Sequence, residues 1–249
     1  MKERAFRSLR FEERSESVLE LKNVCFLRDN KKILDNVNLK IDDNKFYVIT
    51  GPNGSGKSTL VKMIMGIEKP DSGSIVFNGT DITDLSIDKR ADLGISFAFQ
   101  TPVLFKGITV FDLLKIARGG VLKSSDAAKI LSKVGLKAND YLGREINGSL
   151  SGGELKRIEI ASVLARDSSL TIFDEPEAGI DLWSFNSLTE IFKSLQDTSK
   201  TTNIVISHQE RILNIADEII LMKDGKVKLE GRKEEVLKSI FEEEGVSNE

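Results

Sequence analysis

Phe46-Tyr47-Val48-Ile49-Thr50, running straight into Gly51-Pro52-Asn53-Gly54-Ser55-Gly56-Lys57-Ser58-Thr59, is the stretch that decides the fold. The first five residues form a short apolar run, as a parallel strand buried on both faces requires. Lys57–Gly66 reads as a helix. The glycine-rich segment therefore joins a strand to a helix, and in that context G-x-x-x-x-G-K-S is evidence for a phosphate-binding loop. Backbone N–H groups of such a loop curl around phosphate oxygens, and the helix adds its positive end. On this reading Lys57 reaches the β- and γ-phosphates of a nucleotide, Ser58 ligates magnesium, and Thr59 donates towards the α-phosphate.

Outward from the loop, Leu170-Thr171-Ile172-Phe173 is a second buried strand that delivers Asp174-Glu175 at its carboxyl end, where α/β sheets bind ligands. Asp174 is placed to orient magnesium through a water, and Glu175 to polarise an attacking water as a general base. His208, the single histidine, follows the strand Asn203–Ser207 and is placed to hydrogen-bond the γ-phosphate. Gln100 lies just past the strand Gly94–Phe99, where its amide can sense magnesium and the attacking water.

Leu150-Ser151-Gly152-Gly153-Glu154 has a different character. Ser151 and Glu154 have the spacing of a capping box that opens a helix. Gly152 and Gly153 are expected to let another surface approach closely, while the helix N-terminus offers its dipole to a γ-phosphate. This segment contributes little to the nucleotide on the Lys57 loop and fits one held by a second copy.

The remaining pattern fills in an α/β chain. Val18–Val24 and Val37, Leu39 and Ile41 alternate as strands, and Ser74–Asn78 closes on an Asn78-Gly79 turn. Thr109 to about Ala165 is helical, with breaks at Gly119-Gly120, Gly135 and Gly148; Asp181–Gln196 is a further helix. Asp217–Met222 and Lys226–Glu230 flank a hairpin turn, and Arg232–Glu244 is a charged terminal helix. Strands alternating with helices imply a mostly parallel core, with an antiparallel β layer beside it and a helical insertion at about 101–165. Residues 1–17 read as a flexible extension of a domain spanning 18–249.

Composition sets the outer limits. The 249 residues, 40% of them hydrophobic, suffice for one domain. A net charge of −3 supplies no basic field for nucleic acid. No stretch approaches the roughly 18 consecutive apolar residues of a membrane helix, so direct membrane insertion is not expected. Cys25 alone excludes an internal disulfide, reads as a small apolar strand residue, and points to the reducing cytoplasm.

These motifs, in this order, make the chain resemble the ATP-binding cassette (ABC) ATPases over nearly its whole length from Val18. The resemblance rests on Gly51–Thr59, Gln100, Leu150–Glu154, Asp174-Glu175, Ala178-Gly179-Ile180-Asp181 and His208. It implies a P-loop NTPase fold with a RecA-like parallel-sheet core, an antiparallel β layer and a helical insertion, hydrolysing ATP with Mg2+. It also implies an ATP-dependent, head-to-tail homodimer, each ATP held between one copy's Lys57 loop and the other's Ser151 segment. Gly179 and Asp181 would lie on a loop crossing the dimer axis. A two-fold interface uses one patch twice, so a single chain builds both sites.

Within that family, Arg144-Glu145-Ile146-Asn147, the run Ser151–Ile160 with Lys156-Arg157, Phe97-Ala98-Phe99-Gln100-x-Pro102 and the glycine of Ala178–Asp181 are similar to the soluble SufC-type ATPases of iron–sulfur cluster assembly. That similarity implies a SufB/SufD-like scaffold as partner, docked near Pro102-Val103-Leu104-Phe105. The alternative is the nucleotide-binding subunit of an ABC membrane transporter. Glu175-Pro176-Glu177 follows the general ABC style, and Trp183 stands where the SufC type has an aliphatic residue. Trp183 is read as a packing residue, with a partner or dimer contact as the other reading. Arg28 stands where many transporter ATPases stack adenine on tyrosine; its guanidinium can stack too, and a solvated turn residue is the other reading.

Overall fold

The computed structural model describes residues 17–198 and 201–243. The extension expected at 1–17 lies outside the described residues except for Ser17, which opens the first strand. The chain begins with β1 (Ser17–Arg28), β2 (Lys31–Asp42) and β3 (Phe46–Thr50), then α1 (Lys57–Met65), β4 (Ser72–Phe77) and β5 (Thr80–Asp81). It continues through α2 (Ile87–Asp92) and β6 (Ile95–Ala98) into four successive helices, α3 (Val110–Ala117), α4 (Ser124–Lys133), α5 (Ala138–Tyr141) and α6 (Gly152–Ala165). The last part holds β7 (Leu170–Asp174), α7 (Leu182–Thr198), β8 (Thr202–Ile206), α8 (Glu210–Leu213), β9 (Glu218–Lys223), β10 (Lys226–Arg232) and α9 (Lys233–Glu243).

Six strands form one sheet in the order β10-β9-β3-β8-β7-β6, and β2-β1-β4-β5 form a second. Within the larger sheet β9, β3, β8, β7 and β6 pair in parallel, with β10 antiparallel at the edge. The smaller sheet is antiparallel throughout.

The two-residue period of the parallel strands separates two cores. Phe46, Val48, Phe173, Val205 and Ile219 face the helices α3, α4, α6, α7 and α9. Tyr47, Ile49, Ile172, Ile204, Ile206 and Ile220 face α1 and the antiparallel sheet. This explains why each central strand reads as a continuous apolar run: neither face meets water.

Helix α1 lies in the second core, and its Leu60, Val61, Met63 and Ile64 are fully buried, each worth about 1.5–3 kcal/mol. Its far end is closed by a side chain that sequence reasoning missed. The buried Arg90 donates to the α1 carbonyls of Met63 (2.5 Å) and Ile64 (2.9 Å) and to Leu85 O and Thr83 O (both 2.9 Å). Helix C-termini leave carbonyls without partners, and a guanidinium supplies several donors in one plane.

One local expectation is corrected, and two others are refined. Trp183 is not a packing residue: it is 80% exposed, and α7 meets the core through the half-buried Phe185 and the buried Leu188. Cys25 lies in β1, as a strand residue, and is half-buried, its Sγ accepting the Asn36 N–H at 3.2 Å. In the segment Pro102–Phe105, Val103 and Leu104 are each 52% exposed while Phe105 packs against the helical core. Among the described residues no helix is long and apolar enough to cross a membrane.

Candidate nucleotide site

Parallel pairing puts the carboxyl ends of β3, β8, β7 and β6 on one edge of the sheet. Reading across it, the edge carries the glycine loop, His208, Asp174-Glu175 and Gln100 in that order. Residues scattered over about 160 positions of sequence therefore share one rim, and that follows from topology alone.

The loop after β3 is tightly constrained. A Cβ on Gly51 would lie 2.0 Å from Met222 O of β9, and the residue has φ +136°, so only glycine fits. The Lys57 ammonium is held by its own loop, donating to Gly51 O at 2.7 Å and Pro52 O at 2.9 Å. Burial lowers its pKa, against the pull of the Glu175 and Asp174 carboxylates. Ser55 Oγ is buried with no hydrogen-bond partner. A buried hydroxyl of that kind is destabilising unless something accepts or donates there, and a phosphate oxygen is of the right chemistry.

Ser58 Oγ donates to Asp174 Oδ1 at 3.1 Å. Burial pushes the Asp174 carboxyl pKa up, while the Ser58 bond opposes it. Two hard oxygen donors side by side, one of them a carboxylate short of positive partners, fit magnesium completed by phosphate and water.

Glu175 adopts φ +43°, a left-handed conformation uncommon outside glycine. Its N–H is fixed on Ile206 O at 3.1 Å, and its Oε2 accepts from Gln100 Nε2 at 2.6 Å. The strain is thus held by β8 on one side and by Gln100 on the other. His208 is exposed on the same rim, directly after Ser207, whose hydroxyl is bonded to Glu177. Burial raises the pKa of Glu177, and its second carboxylate oxygen is buried without a partner.

The Ser151 segment is built separately. Ser151 caps α6: its Oγ accepts the Glu154 N–H at 3.3 Å, and Glu154 Oε2 accepts the Ser151 N–H at 2.7 Å. The other Glu154 oxygen accepts from Tyr141 O–H at 2.5 Å and from Arg144 at 3.1 Å. These bonds, that of Tyr141 foremost, hold the Glu154 pKa down at about 2. Of the two glycines expected to clear space for another surface, Gly152 is exposed, and a Cβ there would lie 3.5 Å from Gly179 O of the same chain. At Gly153 the close neighbour is the same chain: a Cβ there would lie 2.2 Å from Ser184 Oγ of α7. Asp181 in turn caps α7, accepting from Trp183 N–H (2.9 Å), Ser184 N–H (3.0 Å) and Ser184 O–H (2.7 Å). Gly179, at φ +73°, precedes it on an exposed turn.

Arg28 pairs with Glu68 at 2.5 Å and lies over the Phe26 ring at 5.5 Å, so its guanidinium is already engaged within the chain. Lys156 and Glu159, quoted in the sequence only for their resemblance, are buried together beneath Gln100. Their signal was available: Lys156 falls four and seven residues before Ile160 and Val163 on the buried stripe of α6.

Comparison with known proteins agrees with this geometry. The ABC transporter family model matches residues 34–178. Over 227 residues the chain is 38% identical to an uncharacterised ABC transporter ATP-binding protein of Methanocaldococcus jannaschii, spanning 88% of this chain and 90% of that one. It is also 38% identical over 218 residues to an energy-coupling factor transporter ATP-binding protein of Clostridium acetobutylicum, spanning 84% and 76% respectively. A solved dimeric ATP-binding cassette in a post-hydrolysis state, bound to ADP and phosphate, superposes with a TM-score of 0.75 at 26% identity, covering 86% of this chain and 98% of that one. Phosphate loop, sheet-edge carboxylates, capped Ser151 helix and these likenesses converge: the chain belongs to the ABC transporter family, as an ATP-binding and ATP-hydrolysing cassette.

Proposed function

We propose that the chain is the nucleotide-binding subunit of an ABC transporter assembly, working in the cytoplasm as a homodimer that ATP closes and hydrolysis opens. The observation that carries the reading is the split of the candidate phosphate-binding groups into two pieces, the sheet-edge rim and the separately capped Ser151 helix. Relatives named as transporter ATP-binding proteins support the transport assignment, and a related cassette is itself dimeric with ADP and phosphate.

In this reading the loop Gly51–Thr59 wraps the phosphates, with Lys57 leaving its own carbonyls for the β- and γ-phosphates. Ser58 and Asp174 would hold magnesium, with Gln100 beside them, and the ion would neutralise developing charge on the phosphates. Glu175 takes the proton of the attacking water, Gln100 fixes that carboxylate's direction, and His208 donates to the γ-phosphate. Ser151, Gly152, Gly153 and Glu154 present the α6 N-terminus to the partner copy's nucleotide, and Gly179 and Asp181 run along the dimer axis. Trp183 (80% exposed) and Leu182 (65%) stand beside Asp181, and in the closed dimer the second copy covers them.

A Glu175→Gln variant tests this directly. It should lose roughly 10²–10⁴ of ATP turnover, the usual effect of removing a group of this kind. It should also accumulate as an ATP-loaded dimer in sedimentation, with a blue shift of the Trp183 emission. Normal turnover in that variant, or a monomer at saturating ATP, would rule the scheme out.

A second reading has its own observation. The run Lys156–Ile160, on which the similarity to SufC-type ATPases rests, forms a buried polar pair beneath Gln100, and the exposed Phe99, Val103 and Leu104 lie beside it. In that case the apolar patch docks a SufB/SufD-like scaffold and the iron and sulfur sit on the scaffold. Isolating the native complex separates the two: an integral membrane permease supports transport, and a soluble β-rich scaffold supports cluster assembly.

A further inference from the structure

Strand β6 ends at Ala98, so its ladder with β7 stops before Phe99 and Gln100. Two side chains of α6 take over from there. Lys156 Nζ donates to Phe99 O at 2.7 Å, to Gln100 O at 3.1 Å and to Glu159 Oε2 at 2.9 Å. Glu159 Oε1 accepts the Phe99 N–H at 2.9 Å. The ammonium uses all three of its donors, and the pair grips both sides of residue 99 and the carbonyl of residue 100. The next bond outward is the one from Gln100 Nε2 to Glu175 Oε2 at 2.6 Å.

The pair is removed from water, with side-chain exposure of 2% for Lys156 and 12% for Glu159. A buried ion pair is seldom better for stability than apolar side chains of the same volume, so stability alone does not account for it. What the pair does supply is direction. Lys156 lies five residues beyond Ser151 on a continuous helix, about 7–8 Å along its axis. A displacement of the α6 N-terminus is therefore carried to the Gln100 backbone by a stiff element.

We propose that Lys156 and Glu159 are positioning residues for hydrolysis: they fix the Gln100 amide on Glu175 from the helix whose first turn carries Ser151. Resting on the dimer reading above, this makes the partner's nucleotide, seated on Ser151, a determinant of how Glu175 is aimed in the same protomer's own site. The pair acts through Gln100 and touches no nucleotide.

The test replaces the pair in the full chain by Lys156→Met/Glu159→Leu, an apolar exchange that leaves no charge unpaired. Thermal melting, ATP binding at equilibrium, ATP-driven dimerisation in the Glu175→Gln background, and steady-state turnover are measured together. Melting, ATP affinity and dimerisation should match the wild type, while kcat falls about 10–100-fold, as expected for a catalytic geometry displaced by around an ångström. Lys129→Met, on an exposed ion pair of α4, serves as the control and should change nothing. Wild-type kcat in the double variant overturns the proposal. Parallel loss of dimerisation and turnover overturns it too, because the pair would then serve assembly. A wild-type chain that hydrolyses ATP without dimerising breaks the dimer reading beneath it, an outcome visible without any variant.

Discussion

The first turns of α1 and α6 each leave backbone N–H groups without intrahelical partners, and the two ends are finished differently. At α1 the N-cap is Gly56, in a left-handed conformation with no side-chain cap, and the turn is enclosed by strands with Ser55 Oγ unpartnered. At α6 the N-cap is Ser151, reciprocally bonded to Glu154, and the turn stands exposed. An end that always has its own ligand at hand can leave its donors to that ligand. An end whose ligand belongs to another copy has to be stable while nothing is bound, and the capping box gives it that independence. On the dimer reading proposed above, the difference between the two turns is that between one site within the chain and one shared across chains.

Substitutions at the two ends should therefore separate cleanly. Lys57→Ala should weaken ATP binding by about 1.5–3 kcal/mol, the range for a hydrogen bond to a charged group, with little change in melting; calorimetric titration measures it. Unchanged affinity would mean that Lys57 remains on Gly51 and Pro52 when ATP is bound. Gly153→Ala should do the reverse, destabilising the fold by about 1–3 kcal/mol through overpacking against Ser184 while ATP still binds the monomer. Partial recovery in Gly153→Ala/Ser184→Gly, followed by denaturant unfolding, would identify that contact as the cause.

Ser151→Ala removes a cap and should lower stability by about 1 kcal/mol. Its affinity for ATP as a monomer should stay that of the wild type, and only dimer-dependent turnover should fall. A drop in monomer affinity would erase the distinction between the two ends. The smallest effect is in pH. The Glu154 pKa is depressed from 4.5 to about 2, so its contribution to stability is complete above pH 4.5 and lost as the pH falls towards 2. Tyr141→Phe removes the largest cause of that depression, and its melting temperature should vary less steeply over the same window.

Most of the rim was legible in sequence because each of its residues directly follows an apolar run, and parallel pairing brings such positions together. Phe46–Thr50 and Leu170–Asp174 could be read in that way from composition alone. The rest depended on contacts between distant segments. Arg90 lies on a six-residue helix amid Asp88, Lys89 and Asp92, a run that reads as solvated surface, and its partners are carbonyls of α1 and of the turns before α2. Trp183 was misread in the opposite sense, since an isolated tryptophan on a helix looks like core until α7 is seen to project its first turn beyond it. The role of Gly153 was attributed to a second molecule because Ser184, thirty-one residues on, cannot be seen from local spacing. The apolar alternation that gives away a strand carries no trace of which polar atoms will meet.

Arg90 also has a mechanical consequence. Helix α1 is a rod of about 13 Å with the phosphate loop at one end and a guanidinium seated on four carbonyls at the other. It works as a strut with its foot set in a socket. Arg90 belongs to α2, which leads through β6 to Gln100, so a displacement of α1 at the phosphate loop bears on the chain segment that ends at Gln100.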